Sequence, residues 1–464
     1  MGTVNRNSSI VFLGAITALG GSLFLDVHWE LLWSAFGLAL LAFALYQRDK
    51  LFEAFLALAL LTPLSVKVAL PFADLYLPAE FLAAAVALMV VWTILFRNKG
   101  AEWVRYPLPA LWLLTFLPGW WHSELPATSL KFFALNGLFV VAFYYGGVLL
   151  AGQKRTFPLS YFMLALLPVG FFGLYQFASY SFNPITISGI FKPFFYSHTM
   201  FGAVLAFVAA IALGKARAER LWWWVVFLAV SGVLFSTSRA ALWSLVFMLG
   251  IYVLLQLPVV LRLLGPLAIV VAFVGLGGME KLDEAFAYND YESHDPQASL
   301  VEKSMSVTNV QSDASNIERL NRWVSALAMF KERPWTGFGP GTYQFTYIPF
   351  QEKRLENRLT VTNPNSPPPG SGGSAHSELL LALSENGIWT PLVFLLMWLR
   401  WFYFGIFRSS EMRAVLPLIL GLSTYFFHMQ FNNFLNQSVF AFLFWGTAAY
   451  VDHHIRTQRD ELLR

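Results

Sequence analysis

The chain contains no cysteine. That absence removes disulfides, thiol nucleophiles, thiolate metal sites and covalently attached haem. Charge is also scarce: Asp, Glu, Lys and Arg make up 12% of 464 residues against 57% hydrophobic ones, and the mean hydropathy is +0.57. A soluble core wrapped in a polar surface cannot be built from that mixture, so most of the chain is expected to lie in lipid. The net charge is only +4, and the positive residues behind it gather at the ends of apolar runs. No basic footprint for nucleic acid remains.

What is there instead is a succession of apolar runs, near residues 10–26, 30–46, 51–70, 79–96, 107–121, 130–150, 157–179, 199–214, 221–237, 240–257, 265–279, 378–400, 413–430 and 433–451. They approach the length that crosses ~30 Å of hydrocarbon, and lipid cannot satisfy backbone N–H and C=O groups, so they read as helices. The expected fold class is all-α, a polytopic membrane helix bundle of about twelve spans, or fourteen if the pairs flanking Asp26 and Ser238 cross fully. An even number puts both termini on one side. The N-terminus carries no small-residue cleavage site, so its first apolar segment is expected to stay as a span.

Lys and Arg set the orientation. Arg48, Lys50, Arg97, Lys99, Arg105, Lys154, Arg155, Lys215, Arg217 and Arg220 fall on alternate loops, as do Arg400, Arg408, Arg413 and the tail arginines 456, 459 and 464. Those loops and both termini are expected in the cytoplasm. The opposite side carries few positive residues, among them Lys67, Lys131, Lys192 and Arg239. Cations that run against the bias invite a functional reading.

One stretch breaks the membrane rhythm. It divides the chain into an N-terminal bundle (1–279), a polar loop domain (280–376) opposite the basic loops, and C-terminal helices with a tail (377–464). Within the loop domain Ser315-Asn316-Ile317-Glu318 reads as a capping box. Ile317, Leu320, Val324 and Leu327 then repeat at helical spacing until Arg333-Pro334, with Arg319 and Arg322 sharing the other face. Gly337-Phe338-Gly339-Pro340-Gly341 is a tight turn, and a Pro/Gly/Ser-rich loop leads to His376-Ser377-Glu378-Leu379.

Four pieces in this order resemble the O-antigen ligase and polymerase superfamily: Ser236-Thr237-Ser238-Arg239-Ala240-Ala241, Glu318-Arg319 with Arg322-Trp323, the glycine turn after Pro334, and His376-Ser377-Glu378-Leu379 with Glu385-Asn386-Gly387. Ser377 and His198 stand where that family often has Asn. The resemblance implies a C-type glycosyltransferase-like fold in a Gram-negative inner membrane, with the active site facing the periplasm. It implies transfer of a glycan from undecaprenyl diphosphate to a sugar of lipid A-core, without metal or other cofactor. The expected partners are that lipid-linked donor, the lipid A-core acceptor and membrane lipids.

A diphosphate leaving group needs its growing charge neutralised, which guanidinium groups do through paired N–H donors, and an acceptor hydroxyl benefits from a base. Arg239, Arg319 and His376 are therefore the catalytic candidates. Arg322, Lys192, Lys67 and His198 are candidates for holding the diphosphate or lipid head group. Glu378 and Glu385 read as helix-start residues, and Trp335, Tyr343, Phe345 and Tyr347 as core aromatics. The Asp26, His28 and Glu30 loop looks like a metal site, yet the resemblance is to a metal-free family. Two other enzymes of the superfamily, the O-antigen polymerase and a protein O-oligosaccharyltransferase, remain open, as does a transporter of lipid-linked glycans. Polar features gathered at one face, rather than charges at mid-membrane, favour catalysis over passage.

Overall fold

In the computed structural model the described residues are 50–69, 74–96, 104–277, 279–280, 302, 309, 312–363, 373–408 and 412–462. The expected spans near 10–26 and 30–46, and the Asp26, His28 and Glu30 loop, lie outside them.

Helix α1 (Leu51–Leu61) runs into a 3-10 turn at Thr62–Leu64 and gives way to an antiparallel hairpin of β1 (Val66–Ala69) and β2 (Asp74–Leu77). Lys67 sits opposite Tyr76 in its register. The all-α expectation is thus corrected by one small sheet. Pro63 removes a backbone donor just past α1, and alternating β-branched Val66 and Val68 favour the extended chain. Next come α2 (Ala79–Phe96), α3 (Pro107–Leu114) and α4 (Leu117–Trp121). The last two divide the expected 107–121 span, because Pro118 cannot donate to the Leu114 carbonyl.

The bundle continues through α5 (Pro126–Gly152), which contains a π-helical turn at Val140–Tyr145, and α6 (Leu159–Ser179). It adds α7 (His198–Ala216), α8 (Trp222–Phe235), α9 (Arg239–Leu254) and α10 (Val259–Gly275). Helix α11 (Ala314–Glu332) belongs to the loop domain, and α12 (Glu378–Asn386), α13 (Trp389–Phe407), α14 (Leu416–His428) and α15 (Ser438–Leu462) close the chain. Among the described residues, five helices are long and apolar enough to cross a membrane: α2, α5, α6, α7 and α13. Helices α8, α9 and α14 are shorter apolar ones.

Large apolar side chains are exposed along whole helix faces, such as Leu164, Leu167 and Phe171 on α6 and Leu264, Leu267 and Val271 on α10. Water would not tolerate such faces and lipid covers them. The chain is a helical membrane protein.

Helix α7 is the centre of the bundle, packing on α8, α9 and α14. Small residues let the backbones approach: a Cβ on Gly202 would lie 2.5 Å from Ser236 Oγ, and one on Gly214 would lie 2.7 Å from Pro417 Cα. The α8–α9 turn is thereby pressed against the start of α7. Elsewhere Asp452 is buried on α15, where it accepts from the Tyr144 hydroxyl at 2.6 Å and Trp401 Nε1 at 2.9 Å. It also pairs with Arg400 at 3.0 Å. Arg400, expected in a loop, therefore lies inside α13 as the counter-charge of a buried carboxylate.

Candidate active site

Helix α11 buries its polar face. Glu318, Asn321, Arg322 and Ser325 are buried with Ala326 and Met329, whereas Leu327 of the apolar stripe is 42% exposed. The expected capping box does not form. Asp313 is the N-cap instead, its carboxylate accepting from the Asn316 N–H at 3.0 Å. An aspartate there satisfies an orphan donor and suits the positive end of the helix dipole. The same carboxylate faces Arg239 at 4.0 Å, so one buried anion joins the heads of α11 and α9.

Arg322 is anchored on several sides. Its Nε donates to Glu318 Oε1 at 2.7 Å, its Nη1 donates to the Ser374 carbonyl at 2.9 Å, and its guanidinium lies over the Tyr347 ring. Ser374 is two residues before His376, so Arg322 fixes the strand of chain that presents the imidazole. Tyr343 adds a hydroxyl bond to the Arg322 carbonyl at 2.9 Å and stacks on Tyr347. Those two tyrosines are core, as their positions suggested, while Trp335 is 62% exposed beside Trp389.

His376 sits at φ 51, in the left-handed region, immediately before the cap of α12. Ser377 caps that helix by accepting from the Leu380 N–H at 3.4 Å. Thr237, two residues ahead of Arg239, has φ 52. A β-branched residue rarely takes this conformation, and strain of this kind persists where the surrounding structure over-determines a site.

Arg319 lies close enough to Arg239, Asp313 and His376 to interact electrostatically with all three. Burial, and then the neighbouring Arg239 guanidinium, push Arg319 down to about 10 despite the opposing Asp313, so it stays cationic at neutral pH. Its Nε is buried without a hydrogen-bond partner. For His376, burial and then the Arg319 and Arg322 guanidiniums hold the imidazole well below its ordinary value. It is neutral at physiological pH and able to accept a proton.

The glycine turn holds this assembly to α12. Phe338 and Gly339 N–H groups donate to the Ser384 and Glu385 carbonyls at 3.0 and 2.8 Å, and the Glu385 carboxylate accepts from the Gly341 and Tyr343 N–H groups, both at 2.9 Å. Gly337 has φ +65, and a Cβ there would run into the Glu385 backbone. Gly387, φ +71, ends α12 and divides the expected 378–400 span in two. Glu385 is therefore not a helix-start residue: it stands at the end of α12 as the anchor of the turn. Glu378 does start α12, and its Oε1 accepts from the Tyr425 hydroxyl and the Phe434 and Leu435 N–H groups. Glu385→Gln turns an N–H donor toward one of two backbone donors, and is expected to cost about 1–3 kcal/mol. A lower thermal midpoint in detergent would show it; an unchanged midpoint would mean the turn does not depend on this carboxylate.

The structure thus brings together Arg239, Arg319, Arg322 and His376. His198 joins at the edge, its Nδ1 2.6 Å from the Ser236 carbonyl that precedes Arg239 by three residues. Lys192 is exposed in the loop before α7 and Lys67 is exposed on β1, and neither lines the cavity at His376. Among the described residues, no group of three or more His, Cys, Asp or Glu side chains forms a candidate metal site. Residues 224–395, from α8 into α13, match the family model described as O-antigen ligase. The segment is similar to an O-antigen ligase domain. It contains all four of the assembled residues, whereas His198, Lys192 and Lys67 precede it. Members of the family are glycosyltransferase-like enzymes. Comparison with curated proteins finds no match.

Sequence reading missed the parts that hold this site in shape. Asp313 lies in a polar run with no pattern, and Thr360, which bonds Glu318, and Gly341 and Tyr343, which bond Glu385, are 42 to 44 residues away from them along the chain. The dipeptide Glu318-Arg319 was the available signal, because a carboxylate next to a candidate phosphate clamp asks which cation it serves.

Proposed function

We propose that the protein moves an O-antigen glycan from undecaprenyl diphosphate to a sugar of lipid A-core, at the periplasmic face of a Gram-negative inner membrane and within a C-type glycosyltransferase-like bundle. The observation that carries this reading is one neutral imidazole that feels two guanidiniums and lines a cavity with no arginine among its described lining residues. In the transfer the acceptor oxygen forms a bond to the anomeric carbon, the bond from that carbon to the phosphate oxygen breaks, and the acceptor proton passes to His376. Undecaprenyl diphosphate leaves with the electron pair, and its charge is met by Arg239 and Arg319. Arg322, with Glu318, positions His376. Lys192, Lys67 and His198 keep the outer part of holding the anionic head group.

Loss of the gene from its cell tests the reaction. Long glycan should accumulate on the lipid carrier while lipid A-core stays bare. Single glycan units on the core would instead identify a polymerase. Charge neutralisation by arginines also makes a divalent ion redundant. Purified protein should transfer at an unchanged rate in excess chelator, with Asp26→Ala nearly silent; loss restored by Mg²⁺ or Mn²⁺ together with an impaired Asp26→Ala would move the chemistry to the Asp26, His28 and Glu30 loop.

A further inference from the structure

His376 lines a cavity of about 190 Å³. Among the described residues that line it there is no lysine or arginine. Glu385 reaches it, but both oxygens of that carboxylate are engaged by backbone N–H groups. The rest of its polar lining is dominated by carboxamides: Gln344, Asn432, Asn433, Asn436 and Gln437. Two of these side chains are already in use, Asn433 against the Ser374 hydroxyl and Asn432 against His428 Nδ1 at 3.2 Å. Two others have buried oxygens that lack a partner, Asn436 Oδ1 and Gln437 Oε1.

We infer that this cavity is the seat of the acceptor sugar, with Asn436 and Gln437 accepting hydrogen bonds from its hydroxyl groups. The inference rests on the proposed reaction and adds to it where each substrate lies. Carboxamides both donate and accept, which matches neutral hydroxyls and offers nothing to a diphosphate. Buried oxygens without donors cost free energy in the empty site, and a ligand hydroxyl removes that cost. Geometry sets the side. The attacking hydroxyl must reach the anomeric carbon opposite the departing diphosphate, with its proton within hydrogen-bond reach of the base. His376 lines the cavity and no guanidinium is among its described lining residues, so a hydroxyl seated there lies beside the base and apart from the groups that take the diphosphate. Its volume is below the ~300–1,000 Å³ of pockets for larger ligands, so it seats one sugar ring rather than a chain.

The test is steady-state transfer by the full chain in detergent, varying lipid-linked donor and lipid A-core separately. Asn436→Leu and Gln437→Leu should each raise the apparent KM for lipid A-core about tenfold. The KM for donor should stay within about twofold, which also shows that the variants are folded. Asn436→Asp keeps an accepting oxygen and should recover most of the loss. A raised donor KM with an unchanged acceptor KM would place the donor's own sugar in the cavity and overturn the inference, and so would two unchanged constants. A wild-type protein inactive with these substrates would overturn the proposed reaction itself, and this seat with it.

Discussion

His376→Ala is expected to lower the transfer rate by roughly a hundredfold to ten-thousandfold, while the protein still inserts and binds donor with near-normal affinity. The imidazole is placed by a strained backbone at φ 51 and by the Arg322 bond to the Ser374 carbonyl, neither of which the substitution removes. A base makes its contribution in the transition state, where the acceptor proton is in flight, so removing it lowers kcat and leaves ground-state binding alone. Turnover within about threefold of wild type in a well-expressed His376→Ala protein would end the assignment.

The same residue leaves a signature in pH. Only the neutral imidazole accepts a proton, so activity is lost as pH falls through its pKa. In the free protein, burial and the Arg319 and Arg322 guanidiniums hold that pKa well below the ordinary histidine value. The profile of kcat/KM should therefore stay flat from neutral pH down through the range where an ordinary histidine titrates. Bound diphosphate offsets the guanidiniums, which raises the imidazole pKa and strengthens the base when donor is in place. The acid limb of kcat should thus lie at higher pH than that of kcat/KM. Arg319→Gln removes one of the depressing charges and should move the kcat/KM limb upward.

Apolar runs were legible because lipid allows little else than helices, and α2, α5, α6 and α7 lie close to their expected positions. The breaks were harder to read. Gly387 and Pro118 sit within apolar runs, and a pattern of hydrophobicity does not register a left-handed turn or a missing donor. Helix α11 shows a deeper limit. Its stripe of Ile317, Leu320, Val324 and Leu327 reads as the buried face under rules made for proteins in water. Here the buried face is Glu318, Arg322 and Ser325, and Leu327 points outward. Beside a membrane, apolar does not mean inside, and a polar face turns inward where it has ion pairs to make. Arg239, Arg319, Arg322 and His376 were legible as pieces of an ordered motif. Asn436 and Gln437 were not, since carboxamides follow no spacing that chemistry dictates.

Arg319→Lys is expected to lower kcat by about a hundredfold to a thousandfold although the positive charge is kept. Arg319 is the guanidinium of the group whose Nε is buried without a partner, next to a second cation, Arg239, that further disfavours its charge. Such an arrangement costs free energy in the empty site and is offset when an anion arrives. A diphosphate accepts two parallel N–H bonds from a planar fork, and an ammonium group on a flexible stem cannot reproduce them. Folding should be little affected, because the lost group had few bonds within the protein. Arg322→Lys separates the two kinds of arginine. Its guanidinium already bonds Glu318 and the Ser374 carbonyl and covers Tyr347. That substitution should lower the thermal midpoint as well as the rate, and Glu318→Gln should reproduce the fall in midpoint, since it breaks the same ion pair from the other end. Equal activity of Arg319→Lys and wild type would reduce Arg319 to a source of bulk potential. A thermal midpoint lowered by Arg319→Lys and untouched by Arg322→Lys would reverse the assignment, making Arg322 the clamp and Arg319 the support.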